Sequence, residues 1–231
     1  MKTIGLLGGM SWESTLEYYR LINEITRQRL GGLHSSRCLL YSVDFAEIEP
    51  LQHQGRWDEL AGLLADAARS LERGGADCLV LCTNTMHLLS GALQSATRLP
   101  LLHIADAAGA AIHAAGLQRV GLLGTRFTME QDFYRQRLEQ HFGLQVLIPP
   151  EPQRQVVHRV IYDELCLGVI NPASREAYAQ IMADLISSGA QGIILGCTEI
   201  ELLVSQADCP APVFPTTFLH AQAAVDFALA D

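Results

Sequence analysis

Short apolar runs alternate with longer amphipathic stretches along the whole chain. The runs at 3–7, 38–43, 78–81, 101–104, 120–123, 146–148, 192–195 and 213–214 have the length and composition of buried strands. The stretches at 14–30, 57–73, 129–141, 172–187 and 220–229 carry apolar residues at helical spacing. Alternation of this kind predicts an α/β fold, a parallel sheet with helices on both faces.

The runs fall into two matching sets. IGLLGG at 4–9 resembles VGLLGT at 120–125, and RGGADCLVL at 73–81 resembles SGAQGIILG at 188–196. LCTNTMHLL at 81–89 resembles LGCTEIELL at 195–203, with an offset of 114. LPLLHIADAAGAAI at 99–112 echoes APVFPTTFLHAQAAV at 211–225. Any one match is what all α/β units share, an Ile/Val/Leu strand ending in glycine. Four matches in one order predict an internal duplication into two pseudo-symmetric parallel-sheet domains. Their expected bounds are 1–100 plus 212–231, the last strand near Val213 crossing back to the first half, and 101–211. Ligands of open α/β sheets bind beyond the carboxyl ends of the strands. Two such units facing each other would hold an active site in an inter-domain cleft, with equivalent positions on opposite sides of one carbon.

Composition narrows the chemistry. Of 231 residues, 49% are hydrophobic and 18% charged, enough to bury a core without disulfide or metal staples. The net charge of −9 argues against nucleic acid and against an anionic membrane surface. No apolar run approaches the roughly 18–20 residues that span a bilayer. The only lysine is Lys2, so neither a pyridoxal-phosphate Schiff base nor a Walker lysine is available away from the extreme terminus. The cysteines at 38, 78, 82, 166, 197 and 209 form no CxxC pair, and no HExxH or Cys/His spacing occurs, so a zinc site is not expected. IGLLGGM is too short for a signal peptide, and the start reads as a buried strand of a reduced, cytoplasmic protein.

The strand ends hold the candidate residues. Gly8-Gly9-Met10-Ser11 fits either an anion cradle at a helix start or a tight turn with Ser11 or Ser14 as N-cap. The duplication pairs Thr83 with Cys197, Asn84 with Thr198 and Thr85 with Glu199. Cys82 pairs with Gly196, one residue out of register, and strand alternation points it away as a small buried hydrophobe. Cys197 sits before a helix start, where a thiol pKa is expected to fall toward neutrality and give a thiolate base without a histidine. The competing reading of any one cysteine is a packing residue. His87, His103 and His220 are further bases, with no catalytic role assigned.

At IGLLGGMSWEST, CTNTMH, IYDELCLG at 161–168 and GCTEI at 196–200, the chain resembles the aspartate/glutamate racemase family over its whole length, nearest to the L-aspartate/glutamate-specific branch. The resemblance implies a two-domain pseudo-symmetric α/β fold, a homodimer and cofactor-independent racemisation between two acid–base groups. Cys197 matches one of the family's two cysteines; Thr83 stands at the other, which makes it a weak opposite-face proton donor. Met10, Gln52, Asn84, Thr85, Thr198 and Glu199 map onto substrate contacts. Gln52 and Cys166 stand where the family tends to carry an arginine and a lysine. The alternatives are a related cofactor-independent decarboxylase or isomerase, and a vestigial racemase that binds a dicarboxylate.

Overall fold

Side chains on the central strands alternate between two faces, and that alternation sets the layers. The computed structural model describes residues 1–230, in two units. The first unit runs from Met1 to His103 and resumes at His220; the second spans Ile104–Leu219.

The first unit contains β1 (Ile4–Gly8), α1 (Trp12–Leu30), β2 (Cys38–Ser42), α2 (Phe45–His53), α3 (Trp57–Arg73), β3 (Cys78–Leu81), a 3₁₀ turn (Thr85–Leu89), α4 (Ser90–Ala96) and β4 (Leu101–Leu102). Its four parallel strands lie in the order β2-β1-β3-β4. Ile4, Leu6, Cys78, Val80 and Cys82 pack on one face with Tyr18, Ile22 and Ile25 of α1. Leu7, Leu79 and Leu81 pack on the other with Leu60, Leu64 and Leu71 of α3. Each such side chain contributes about 1.5–3 kcal/mol by leaving water.

The second unit contains α5 (Ile104–Ala114), β5 (Arg119–Gly124), α6 (Arg126–Glu130), α7 (Asp132–Phe142), β6 (Gln145–Leu147), α8 (Glu151–Asp163), α9 (Pro172–Ser187), β7 (Ile193–Gly196), α10 (Ile200–Leu203), β8 (Val213–Pro215) and the start of α11 (Thr216–Leu229). The order β6-β5-β7-β8, again all parallel, is the first sheet's topology repeated. Leu123, Ile193 and Leu195 face one core, and Val120, Leu122 and Ile194 face the other.

Three sequence expectations need correction. The strand near Val213 does not cross back to the first half: Ile193 pairs with Val213 and Ile194 with Phe214, and Phe214 is buried among second-unit side chains. The chain returns within α11, whose Ala221, Ala224, Val225 and Ala228 join the first unit's core. Conversely, the strand expected at 101–104 is confined to Leu101–Leu102 and belongs to the first sheet, through Leu79↔Leu101. Each sheet therefore ends in a strand whose following helix is claimed by the other unit. The helix expected at 129–141 is two helices, because Gln131 is extended (φ −83°, ψ 150°) between α6 and α7. Among the described residues no helix is long and apolar enough to cross a membrane.

Candidate active site

At the end of β1 the backbone runs too close to β2 for any side chain. A Cβ on Gly9 would lie 2.2 Å from the Val43 carbonyl oxygen, and Gly9 has φ +91°. The Gly9 amide donates to the Thr15 hydroxyl (2.8 Å), which donates to the Ser11 carbonyl (2.8 Å). Ser11 Oγ accepts the Ser14 amide (3.3 Å) and caps α1. The GGMS turn is thus built as a helix start, and Met10 is buried beside it.

Beyond β3 the chain turns at Thr83, whose amide donates to the Leu81 carbonyl (2.8 Å). Thr83, Asn84 and Thr85 are all buried, as is Gln52 on α2. Gln52 Nε2 donates to Met86 Sδ at 3.8 Å, which ties α2 to the turn after β3. His87 Nδ1 donates to the Thr83 carbonyl (2.8 Å), and its ring lies 4.5 Å from His103 and 5.7 Å from His220 between centroids. His220 Nε2 donates to the Leu102 carbonyl (2.7 Å), and its Nδ1 is hydrogen-bonded to Tyr18 Oη (2.8 Å). The sequence noted the three histidines singly; the fold gathers them behind Thr83. Cys82 has no exposed surface and packs on the opposite face, its thiol pKa pushed up by burial.

The second unit repeats the construction. Gly124 and Gly196 are register partners, and a Cβ on either would come within 2.8 Å of backbone oxygen. Thr125 Oγ1 accepts the Thr128 amide (3.3 Å) and caps α6, as Ser11 caps α1. Leu123↔Leu195 matches Leu7↔Leu81, so Cys197 follows β7 where Thr83 follows β3. Cys197 falls on the same face as Ile193 and Leu195, with Tyr178 and the partly buried Cys166 in that cluster.

The chemistry concentrates on one oxygen. Cys197 Sγ donates to Glu199 Oε2 at 2.8 Å, and Thr198 Oγ1 donates to the same oxygen at 2.8 Å. All three residues are buried. Burial first, then the negative charge of Glu199, pushes the Cys197 thiol well above its ordinary pKa. This overturns the expectation of a depressed pKa: α10 begins only at Ile200 and is a single turn, too little to offset burial beside a carboxylate. The free protein holds a thiol with a carboxylate in contact, not a standing thiolate. Sequence reasoning listed Glu199 as a substrate contact and missed this bond; its signal was the Cys-x-Glu spacing in a strand-to-helix turn. Among the described residues no group of three His, Cys, Asp or Glu side chains could hold a metal ion.

Comparison with known proteins gives a consistent result. The family model described as Asp/Glu/hydantoin racemase matches residues 7–224. The broad specificity amino-acid racemase RacX of Bacillus subtilis is 25% identical over 98% of both chains. Among solved structures, a Yersinia pestis protein provisionally assigned as an Asp/Glu racemase is 54% identical over all of both chains, with a TM-score of 0.92. An aspartate racemase homologue from Pyrococcus horikoshii is 34% identical, also over all of both chains, with a TM-score of 0.86.

Proposed function

This chain belongs to the Asp/Glu/hydantoin racemase family and is an amino-acid racemase, an isomerase, and from that premise we propose that it racemises L-aspartate or L-glutamate without a cofactor, with Cys197 as the base. The observation that carries the reading is the 2.8 Å contact between Cys197 Sγ and Glu199 Oε2. Glu199 takes the thiol proton as substrate binds, the thiolate removes the α-proton of the L enantiomer, and the resulting carbanion is protonated from its other face. Thr83, the topological equivalent of Cys197, is the donor assigned to that face. A hydroxyl is not ionised near neutral pH, so it donates slowly, directly or by relay from water. Met10, Gln52, Asn84, Thr85 and Thr198 are the assigned substrate contacts; all are buried, Gln52 on α2 and the others just beyond a strand end. Cofactor independence is supported by the lysine content: Lys2 is the only lysine, and its ammonium donates to the Ala230 carbonyl at 3.0 Å. The family relationship also supports a homodimer.

Proton exchange tests the reading. In heavy water L-aspartate should gain α-deuterium faster than it inverts, D-aspartate should show little exchange with retention, and Thr83→Cys should narrow the gap. Dialysis, chelators and carbonyl reagents should leave activity intact. A fully active Cys197→Ala variant, or equal exchange and inversion unchanged by Thr83→Ala, would remove these residues from the mechanism.

A further inference from the structure

The turns that follow β3 and β7 hold their first carbonyl in different ways. Cys197 uses the main chain: its carbonyl accepts the Ile200 amide at 3.1 Å. Thr83 uses a side chain: its carbonyl accepts from the His87 ring at 2.8 Å, and a carbonyl only accepts, so Nδ1 carries the hydrogen. The His87 amide would reach that carbonyl in an α-helix, but it donates to the Asn84 carbonyl at 3.1 Å and the turn is 3₁₀. The imidazole replaces the main-chain donor. Thr83 is buried, and a buried carbonyl needs a partner.

The ring is built into the unit. His87 is 1% exposed. Two further rings of the same unit flank it, His103 at 4.5 Å and His220 at 5.7 Å between centroids. His220 is itself tied at both nitrogens, to the Leu102 carbonyl (2.7 Å) and to Tyr18 Oη (2.8 Å). A side chain wedged in this way keeps one rotamer, and Nδ1 stays on the Thr83 carbonyl. The repeat places no such tie in the other half. The counterpart of His87 at the offset of 114 is Glu201, whose carboxyl accepts the Thr217 amide at 2.7 Å. The tie belongs to the half in which a hydroxyl stands where the other half has a thiol.

We infer that His87 is a positioning residue for racemisation: by holding the Thr83 carbonyl it fixes the peptide from which the Thr83 hydroxyl donates its proton to the carbanion. The inference rests on the reading of Thr83 as opposite-face donor given above. It puts the loss on one of two measurable events, since exchange with retention on L-aspartate uses Cys197 and inversion needs Thr83. His87→Leu keeps much of the volume and removes the donor. Inversion should fall roughly 10- to 100-fold, the cost of a displaced reacting group, while exchange with retention and KM stay within a few-fold. His87→Asn carries an amide nitrogen at the place of Nδ1 and should recover most of the inversion; His87→Gln puts that nitrogen one bond further out and should not. In a Thr83→Ala background His87→Leu should cost nothing more. Unchanged inversion in His87→Leu, equal losses of exchange and inversion, or an undiminished loss on top of Thr83→Ala overturns the inference and leaves the racemase reading standing. If His87→Leu does not fold, the other pair decides, and equal inversion by His87→Asn and His87→Gln overturns the inference. Wild type that neither exchanges nor inverts any amino acid overturns the racemase reading itself, and this inference with it.

Discussion

Replacing Glu199 with glutamine separates a proton acceptor from a substrate contact. The carboxylate oxygen lies 2.8 Å from Cys197 Sγ, and the surrounding burial and charge keep the thiol protonated. Glutamine fills the same volume but cannot take the proton. Loss of a positioned proton acceptor costs about 10²–10⁴ in rate, so kcat near pH 7 should fall by that factor. The thiol itself should move the other way. With the negative charge gone, its pKa falls, although burial still holds it above the ordinary value. The variant's own rate should then climb about tenfold per pH unit until the thiol titrates, because thiolate formed by bulk hydroxide replaces thiolate formed by Glu199. The assay is kcat and KM for α-proton exchange from pH 6 to 10, alongside thiolate absorbance in wild type and variant. A variant that changes only KM, with kcat within twofold of wild type and an unmoved thiol titration, would show that Glu199 is a substrate contact and nothing more.

Two further outcomes follow from burial. Cys82→Ala should leave exchange intact and lower stability by about 1 kcal/mol, a fall in Tm of about 2–4 °C, because Cys82 is fully buried in the α1 face of the first sheet; a dead but equally stable variant would contradict its packing role. Glu201 accepts the Thr217 amide at 2.7 Å where α11 begins, yet burial raises its pKa from 4.5 to about 7. A carboxyl with a raised folded pKa contributes stability that is full below about pH 4.5 and is lost as pH rises through about 7. Glu201→Gln should therefore flatten the fall in Tm between pH 5 and 8 and gain about 1–3 kcal/mol at the alkaline end; parallel melting profiles for the two proteins would refute it.

Local pattern reveals what local physics decides. Strand alternation alone separates Cys82 from Cys197, since Leu79 and Leu81 face one core while Cys78, Val80 and Cys82 face the other. The same topology in both units is legible because each strand–helix unit carries its own signal. What the pattern does not carry is register between distant segments. Val213 looks the same whether it pairs with β7 or crosses back, and only the ladder Ile193↔Val213 decides. The break at Gln131 is hidden because Phe127, Met129, Tyr134 and Leu138 stay apolar on both sides of it. The histidines at 87, 103 and 220 are remote in sequence, and no periodicity brings them together. The thiol pKa is hidden from the sequence for a different reason. A helix start and a carboxylate neighbour are both visible in Cys-Thr-Glu-Ile, but their balance depends on burial, which only the fold supplies.

The duplication makes the two halves equivalent in backbone and unequal in protons. Thr83 and Cys197 occupy the same topological position, and so do Thr85 and Glu199. One half therefore carries a thiol and its acceptor, and the other carries two hydroxyls. The Cys197–Glu199 pair holds a thiol against a carboxyl oxygen, whereas the Thr83 hydroxyl can orient a hydrogen bond or pass a proton from water. His220 does not supply the missing base there, since both ring nitrogens are spent on Tyr18 and the Leu102 carbonyl. Racemisation has an equilibrium constant of one, so this inequality cannot favour either enantiomer at equilibrium. Its effect falls on the fate of the carbanion. If Cys197 is the base, as proposed, the proton it takes has a carboxylate 2.8 Å away, whereas Thr83 offers only a hydroxyl. The proposed mechanism therefore predicts return faster than inversion.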